Sequence, residues 1–280
     1  MLGLFGVPGF LHAWYDHPYA SDTGPVTNRG TSTIASSFGT GDVMLMCLAL
    51  CLAWTVRLGR PTPLLAAATA LFAAACLTAG SFSGVIGAVV AVAAVGLLTG
   101  RLARFVLLML PAGIAATALA WPVVAGRLAG FESRFGLPSS WIGRLQNLER
   151  HVWPELAGNL NWLFGVRPAA RIPAPEAWRE WVFIESGHLW LLWTGGVPLL
   201  LAFLLLMGTA ARDLWRIGRS DHGPVGIVAI GGFAGTAAIF VLMALDPHLT
   251  VRGAADLYFP LLALALVSVA AHRTSAPTAP

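Results

Sequence analysis

The sequence predicts an all-α membrane protein: a multi-pass transmembrane bundle of about seven spans with a large extracytoplasmic loop containing an amphipathic helix. Three observations predict it. Apolar residues make up 57% of the 280 positions and charged residues only 11%, against roughly a quarter charged in ordinary soluble domains. Apolar runs able to cross about 30 Å of hydrocarbon recur at 43–59, 63–79, 84–99, 103–125, 187–209, 224–245 and 254–271. Between the fourth and fifth run lies a polar insert, residues 126–186. It holds seven of the seventeen cations and six of the thirteen acids.

Taken in order, residues 1–42 form an outward N-terminal segment. Met1–Tyr15 is apolar but broken by Pro8 and Gly9. It lacks a basic n-region and a clear cleavage site, so it reads as an interfacial or partial span and not as a signal peptide. Residues 43–125 supply four transmembrane helices. The second and third runs are almost continuous, and one helix of that length would reach about 54 Å at 1.5 Å per residue. The break is expected at Gly80-Ser-Phe-Ser-Gly84, as a tight hairpin. Ala66–Ala75 and Gly84–Gly96 are dominated by small residues, which let helix backbones approach closely and mark these helices as scaffold. Cys47, Cys51 and Cys76 sit inside apolar runs and read as small core residues.

Within the insert, Trp141, Leu145, Leu148 and Val152 recur at helical spacing over Ser139–Trp153, with Arg144, Asn147 and His151 on another face. This predicts a surface amphipathic helix, N-capped by Ser139 or Ser140 and limited by Pro154. An apolar knot, Trp162-Leu-Phe-Gly-Val166, and a proline-rich turn region, Arg167–Pro175, follow. Residues 187–272 supply three more helices and residues 273–280 a cytoplasmic tail.

Arginine placement orients the bundle. Arg57 and Arg60, Arg101 and Arg104, Arg212, Arg216 and Arg219, and Arg273 fall on one side, which is expected to be cytoplasmic. The insert then faces outward from an inner cell membrane. Every cation is arginine, and the formal charge of +4 arises in membrane loops, so no nucleic-acid partner is expected. Asp42, Glu185 and Asp256 all fall at outer ends of runs. A chain without central membrane charges does not read as an ion-coupled transporter. The sequence offers neither a metal-ligand set nor a glycine-rich nucleotide loop, so no cofactor is expected.

Four stretches give the chain a resemblance. They are Asn28-Arg-Gly-Thr-Ser-Thr-Ile-Ala-Ser-Ser-Phe-Gly39, Leu77-Thr-Ala-Gly-Ser-Phe-Ser-Gly84, Gly143-Arg-Leu-Gln-Asn with Trp162-Leu-Phe-Gly-Val166, and Glu185-Ser-Gly-His-Leu-Trp-Leu-Leu-Trp-Thr-Gly-Gly-Val. In their order the chain resembles the C-terminal two-thirds of the O-antigen ligase and polymerase family, as a shortened member or one whose start is missing. Counting back from Gly196, the family's histidine position falls on Glu185 and its Asn/Ser/Gln position on Ser186. Its hairpin arginine is Phe82 here. The resemblance implies metal-independent transfer of a glycan from an undecaprenyl diphosphate carrier to a glycan or lipid acceptor.

That chemistry needs a cation for the departing diphosphate and a base for the acceptor hydroxyl. Arginine binds phosphate oxygens through a planar fork and never deprotonates. Arg144, Arg29 and Arg167 are the candidates, the alternative for each being a surface cation contacting lipid headgroups. Glu185 is the candidate base, alternatively a carboxylate in the first turn of a helix, where the helix dipole favours the anion. His188 could pair with Glu185 or act as the base itself, or be an interfacial imidazole beside Trp190 and Trp193. The rival function is a non-catalytic lipid-linked glycan transporter or assembly partner.

Overall fold

A computed structural model describes residues 36–60, 62–79, 82–107, 114, 118, 139–168, 171–177, 180–250 and 253–274. Residues 1–35, most of the fourth apolar run, the first part of the insert and the last six residues lie outside the described residues. The remainder is predominantly helical. Three of its helices are long and apolar enough to cross a membrane, spanning Phe38–Leu58, Gly187–Ser220 and Pro224–Leu242, and shorter apolar helices cover Pro63–Leu77, Ser83–Thr99 and Ala254–Val267. These are the features of an all-α membrane protein. The chain divides into two compact units.

The first unit comprises residues 1–111, 208–242 and 248–280. It contains α1 (Ser37–Leu58), α2 (Pro63–Thr78) and α3 (Phe82–Thr99). Two helix starts follow directly from sequence. The Ser36 side chain accepts from the Gly39 N–H at 3.1 Å, and Thr62 does the same for Leu65 at 3.2 Å, with Pro63 opening α2. The apolar stretch 63–99 is broken, as its length requires, but between Thr78 and Phe82, earlier than the expected Gly80–Gly84 hairpin: Phe82, Ser83 and Gly84 already belong to α3.

The described part of the insert opens with α4 (Ser139–Asn147), a π-helical turn (Leu148–Val152), α5 (Trp153–Ala157) and α6 (Asn161–Phe164). Strands β1 (Arg171–Pro173) and β2 (Trp181–Phe183) come next. The chain then runs through α7 (Gly187–Ser220), α8 (Pro224–Leu242), a 3-10 turn (His248–Thr250) and α9 (Ala254–Thr274).

Helix α8 is the axis of the first unit, packing on α1, α3 and α9. Its buried positions are mainly small: Ala229, Gly231, Gly232, Ala234, Gly235 and Ala238. A Cβ at Gly231 would run into Leu50, and one at Gly87 of α3 into Leu242 and Leu45. Small residues therefore set how closely these helices approach. Arg57 donates to the Gly218 carbonyl and, at 3.0 Å, to that of Asp221, satisfying acceptors at the end of α7. The expectation that Arg212, Arg216 and Arg219 occupy a short loop is corrected: all three lie on α7, which continues to Ser220. Ala, Arg and Leu are strong helix formers, and the breaker pair arrives only at Gly223-Pro224.

The second unit comprises residues 112–207 and 243–247 and has a core of its own. Val152, Leu156, Ile172, Ala174, Val182, Ile184 and Trp193 are buried together. The turn region expected at Arg167–Pro175 contains β1, paired antiparallel with β2 in the register Arg171↔Phe183, Ile172↔Val182 and Pro173↔Trp181. Alternation explains the pair, since Ile172 and Val182 point into the core while their neighbours do not. Pro154 does not end the amphipathic helix. The π turn intervenes, and Pro154 stands at the start of α5, where a missing N–H costs little.

Candidate active site

Within the second unit, the N-terminus of α7 is fastened to Met243. The Met243 carbonyl accepts from the Gly187 N–H at 2.7 Å and from the His188 N–H at 3.2 Å. A Cβ at Gly187 would press on the flexible end of the Met243 side chain and come within 3.1 Å of the Pro247 Cα. Ser186 caps the helix through its side chain, accepting from Leu189 N at 3.4 Å. Glu185 therefore precedes the cap and is not in the first turn, so the dipole argument against a raised carboxyl pKa loses its geometry.

This fastening brings Glu185 to Arg144 of α4. The Arg144 Nε forms an ion pair with Glu185 Oε2, Nη1 donates to the Leu245 carbonyl at 3.1 Å, and Nη2 pairs with Asp246 Oδ1 at 3.1 Å. Side-chain exposures of 27%, 36% and 15% for Arg144, Glu185 and Asp246 place the trio at a half-buried boundary. Burial pushes the Glu185 carboxyl above its ordinary range; Arg144 opposes the shift and the Asp246 charge adds to it. A second carboxylate on the same guanidinium thus makes Glu185 a better proton acceptor than Arg144 alone would leave it.

Arg144 and Glu185 border a cavity of about 190 Å³. Its other walls are mainly apolar, including Leu145, Leu148, Val152 and Phe183, with Asn147 and Ser186 as polar points. The π turn begins at Leu148, one helical turn after Arg144, and contributes Leu148 and Val152 to the lining; such turns are frequent at functional sites.

The remaining sequence candidates are placed as follows. His188 lies in α7 with its ring edge-on to Phe203, centroids 5.8 Å apart. Helix geometry begins only at Gly187, so Glu185 and His188 do not share a helical face. Arg167 stands at a separate cavity, 5.9 Å from the Trp193 ring. Arg29 lies outside the described residues.

The third and fourth resemblance stretches meet here. Helix α7 is broken at Gly195 and Gly196, and the Trp193 carbonyl freed by the break accepts from Val166 N at 2.7 Å. Gly196 has φ +66° and ψ −165°, and a Cβ there would fall on the Leu163 carbonyl. Gly196→Ala is therefore expected to cost about 1–3 kcal/mol from backbone strain alone, more with the overlap. Gly208→Ala, at a helical position with open space around it, should instead gain roughly 0.5–1 kcal/mol. Thermal unfolding of the two variants should therefore shift in opposite directions.

Sequence reasoning missed two features. One is Asp246, in the segment between the last two apolar runs, whose role at Arg144 no local spacing announces. The other belongs to the first unit: His248 Nδ1 lies 2.8 Å from Asp42 Oδ2, with both side chains fully buried. Asp42 Oδ1 and His248 Nε2 have no hydrogen-bond partner among the described residues. A signal was available in Asp42, an acid at the very edge of an apolar run, where burial demands a partner. Compared with known proteins, the chain matches no family model, no curated protein and no solved structure.

Proposed function

We propose that the chain is a membrane glycan ligase or polymerase that transfers a glycan from an undecaprenyl diphosphate carrier to an acceptor hydroxyl. The observation that carries the reading is the Arg144–Glu185 pair at the mouth of an apolar cavity, formed by two of the stretches that resemble the ligase and polymerase family. Seven spans with the insert outside the inner membrane complete the reading, supported by the arginine distribution.

In this mechanism Glu185 takes the acceptor hydroxyl proton. The acceptor oxygen bonds to the anomeric carbon, the bond from that carbon to the phosphate oxygen breaks, and undecaprenyl diphosphate leaves with the electron pair. Inversion is what the family resemblance implies. Arg144 holds Glu185 in place, and each of its Nη atoms keeps a second N–H for a phosphate oxygen. Arg29 is the further candidate for the diphosphate. His188 is kept as a neighbouring imidazole outside the proton path.

One observation favours the second reading, a lipid-linked glycan transporter or assembly partner without chemistry. Arg144 already faces two carboxylates, so the trio carries a net negative charge and attracts a diphosphate less than a lone arginine would. Reconstitution with an undecaprenyl diphosphate oligosaccharide separates the two. Lengthened chains identify a polymerase, and label moved to a lipid or other acceptor identifies a ligase. Carrier bound or moved across the bilayer with no glycosidic product would establish the second reading.

A further inference from the structure

The second unit holds another cavity, of about 270 Å³, lined by Glu155, Val166, Arg167, Ile172, Pro173 and Trp193. That is far more than the roughly 30 Å³ a water molecule occupies in the liquid. Opposite charges line this cavity without meeting: neither Glu155 nor Arg167 forms an ion pair among the described residues. The Arg167 Nε is buried without a hydrogen-bond partner there, and its Nη2 reaches only the Arg171 carbonyl at a long 3.5 Å. The indole N–H of fully buried Trp193 also lacks a partner among the described residues. The walls therefore offer a guanidinium and a carboxylate that do not meet, beside Ile172, Pro173 and Val166.

Two ligand classes fit this composition poorly. A phosphate or diphosphate would meet Arg167 favourably but would be repelled by Glu155 in the same cavity. A purely apolar chain would desolvate Arg167 and Glu155 without giving either a hydrogen-bond partner. An uncharged ring rimmed with hydroxyl groups satisfies both sides. Its hydroxyls donate to Glu155 and accept from Arg167, while its C–H face lies on the apolar wall.

We infer that the Glu155–Arg167 cavity is a binding subsite for a neutral sugar residue. The inference rests on the proposed transferase reading for which glycan is held, and on the cavity's own chemistry for the ligand class. It moves Arg167 from diphosphate candidate to sugar-binding residue. The scaffold is suited to the task, because β1 supplies Ile172 and Pro173 and the Trp193 carbonyl anchors Val166.

The test uses the full chain in lipid nanodiscs free of glycoside detergent. Saturation-transfer NMR is recorded with a panel of neutral monosaccharides (glucose, galactose, mannose, rhamnose and the two N-acetylhexosamines) and, separately, inorganic phosphate. At least one sugar should bind, with Glu155→Gln and Arg167→Gln each weakening it about tenfold or more. Glu155 is exposed, so Glu155→Gln leaves the fold intact, and its unfolding temperature is recorded alongside. Absence of sugar binding, sugar binding indifferent to Glu155→Gln, or Arg167-dependent binding of phosphate alone would each overturn the inference. Sugar binding by a protein without transfer activity sinks only the transferase reading. Active transfer with no Glu155-dependent sugar binding sinks only this one.

Discussion

Glu185→Gln is expected to lower the rate of glycan transfer by about 10²–10⁴-fold, the usual worth of a positioned general base, while carrier binding persists. Glutamine keeps the shape of the side chain but cannot take the acceptor proton. The variant should fold, because Arg144 retains Asp246 and the Leu245 carbonyl, and the trio becomes neutral overall. The pH dependence carries an independent signature. Burial raises the Glu185 carboxyl pKa, so the acid limb of the rate profile should lie above the ordinary glutamate value of about 4.3. Rate falls as pH drops through the raised value, since a protonated carboxyl no longer accepts; that limb should vanish from the residual activity of the variant. Polymer output unchanged by the substitution would remove Glu185 from the chemistry.

The bundle was legible where apolar runs end in residues that punctuate helices. Thr62-Pro63 opens α2 as the sequence implies, and Gly223-Pro224 bounds α8. Helix α7 was read too short because its last turns are arginine-rich, and a hydropathy window stops at charge while a helix does not. The insert was legible as an amphipathic helix with its arginine. The continuation past Pro154 was not, because a π turn leaves no simple mark in the periodicity.

Arg144 and Glu185 could be paired only through the order of their motifs. Asp246 is 102 residues from Arg144, and its position follows from the anchoring of Gly187 on Met243, a packing fact and not a local pattern. The two strands were hidden by the prolines at 173 and 175, residues that favour turns and sheet edges.

His248→Ala is expected to destabilise the protein by about 1–3 kcal/mol, the range for leaving a buried polar group without its hydrogen-bond partner. The cause is what remains behind: Asp42, fully buried in α1, would keep a carboxylate whose present partner lies 206 residues away in sequence. Phe38, whose ring meets His248 edge-on at 5.9 Å, would also border a void. Asp42→Leu combined with His248→Leu should behave differently, because exchanging a buried pair for apolar residues is often neutral or stabilising. Thermal unfolding of both single variants and the double variant in nanodiscs closes the cycle. Equal stability of His248→Ala and the parent would mean that the pair contributes nothing measurable. A double variant that is stable yet inactive in transfer would give the pair a role beyond holding α1 to the segment after α8. Full activity would make it a structural device, kept to fix which helices meet.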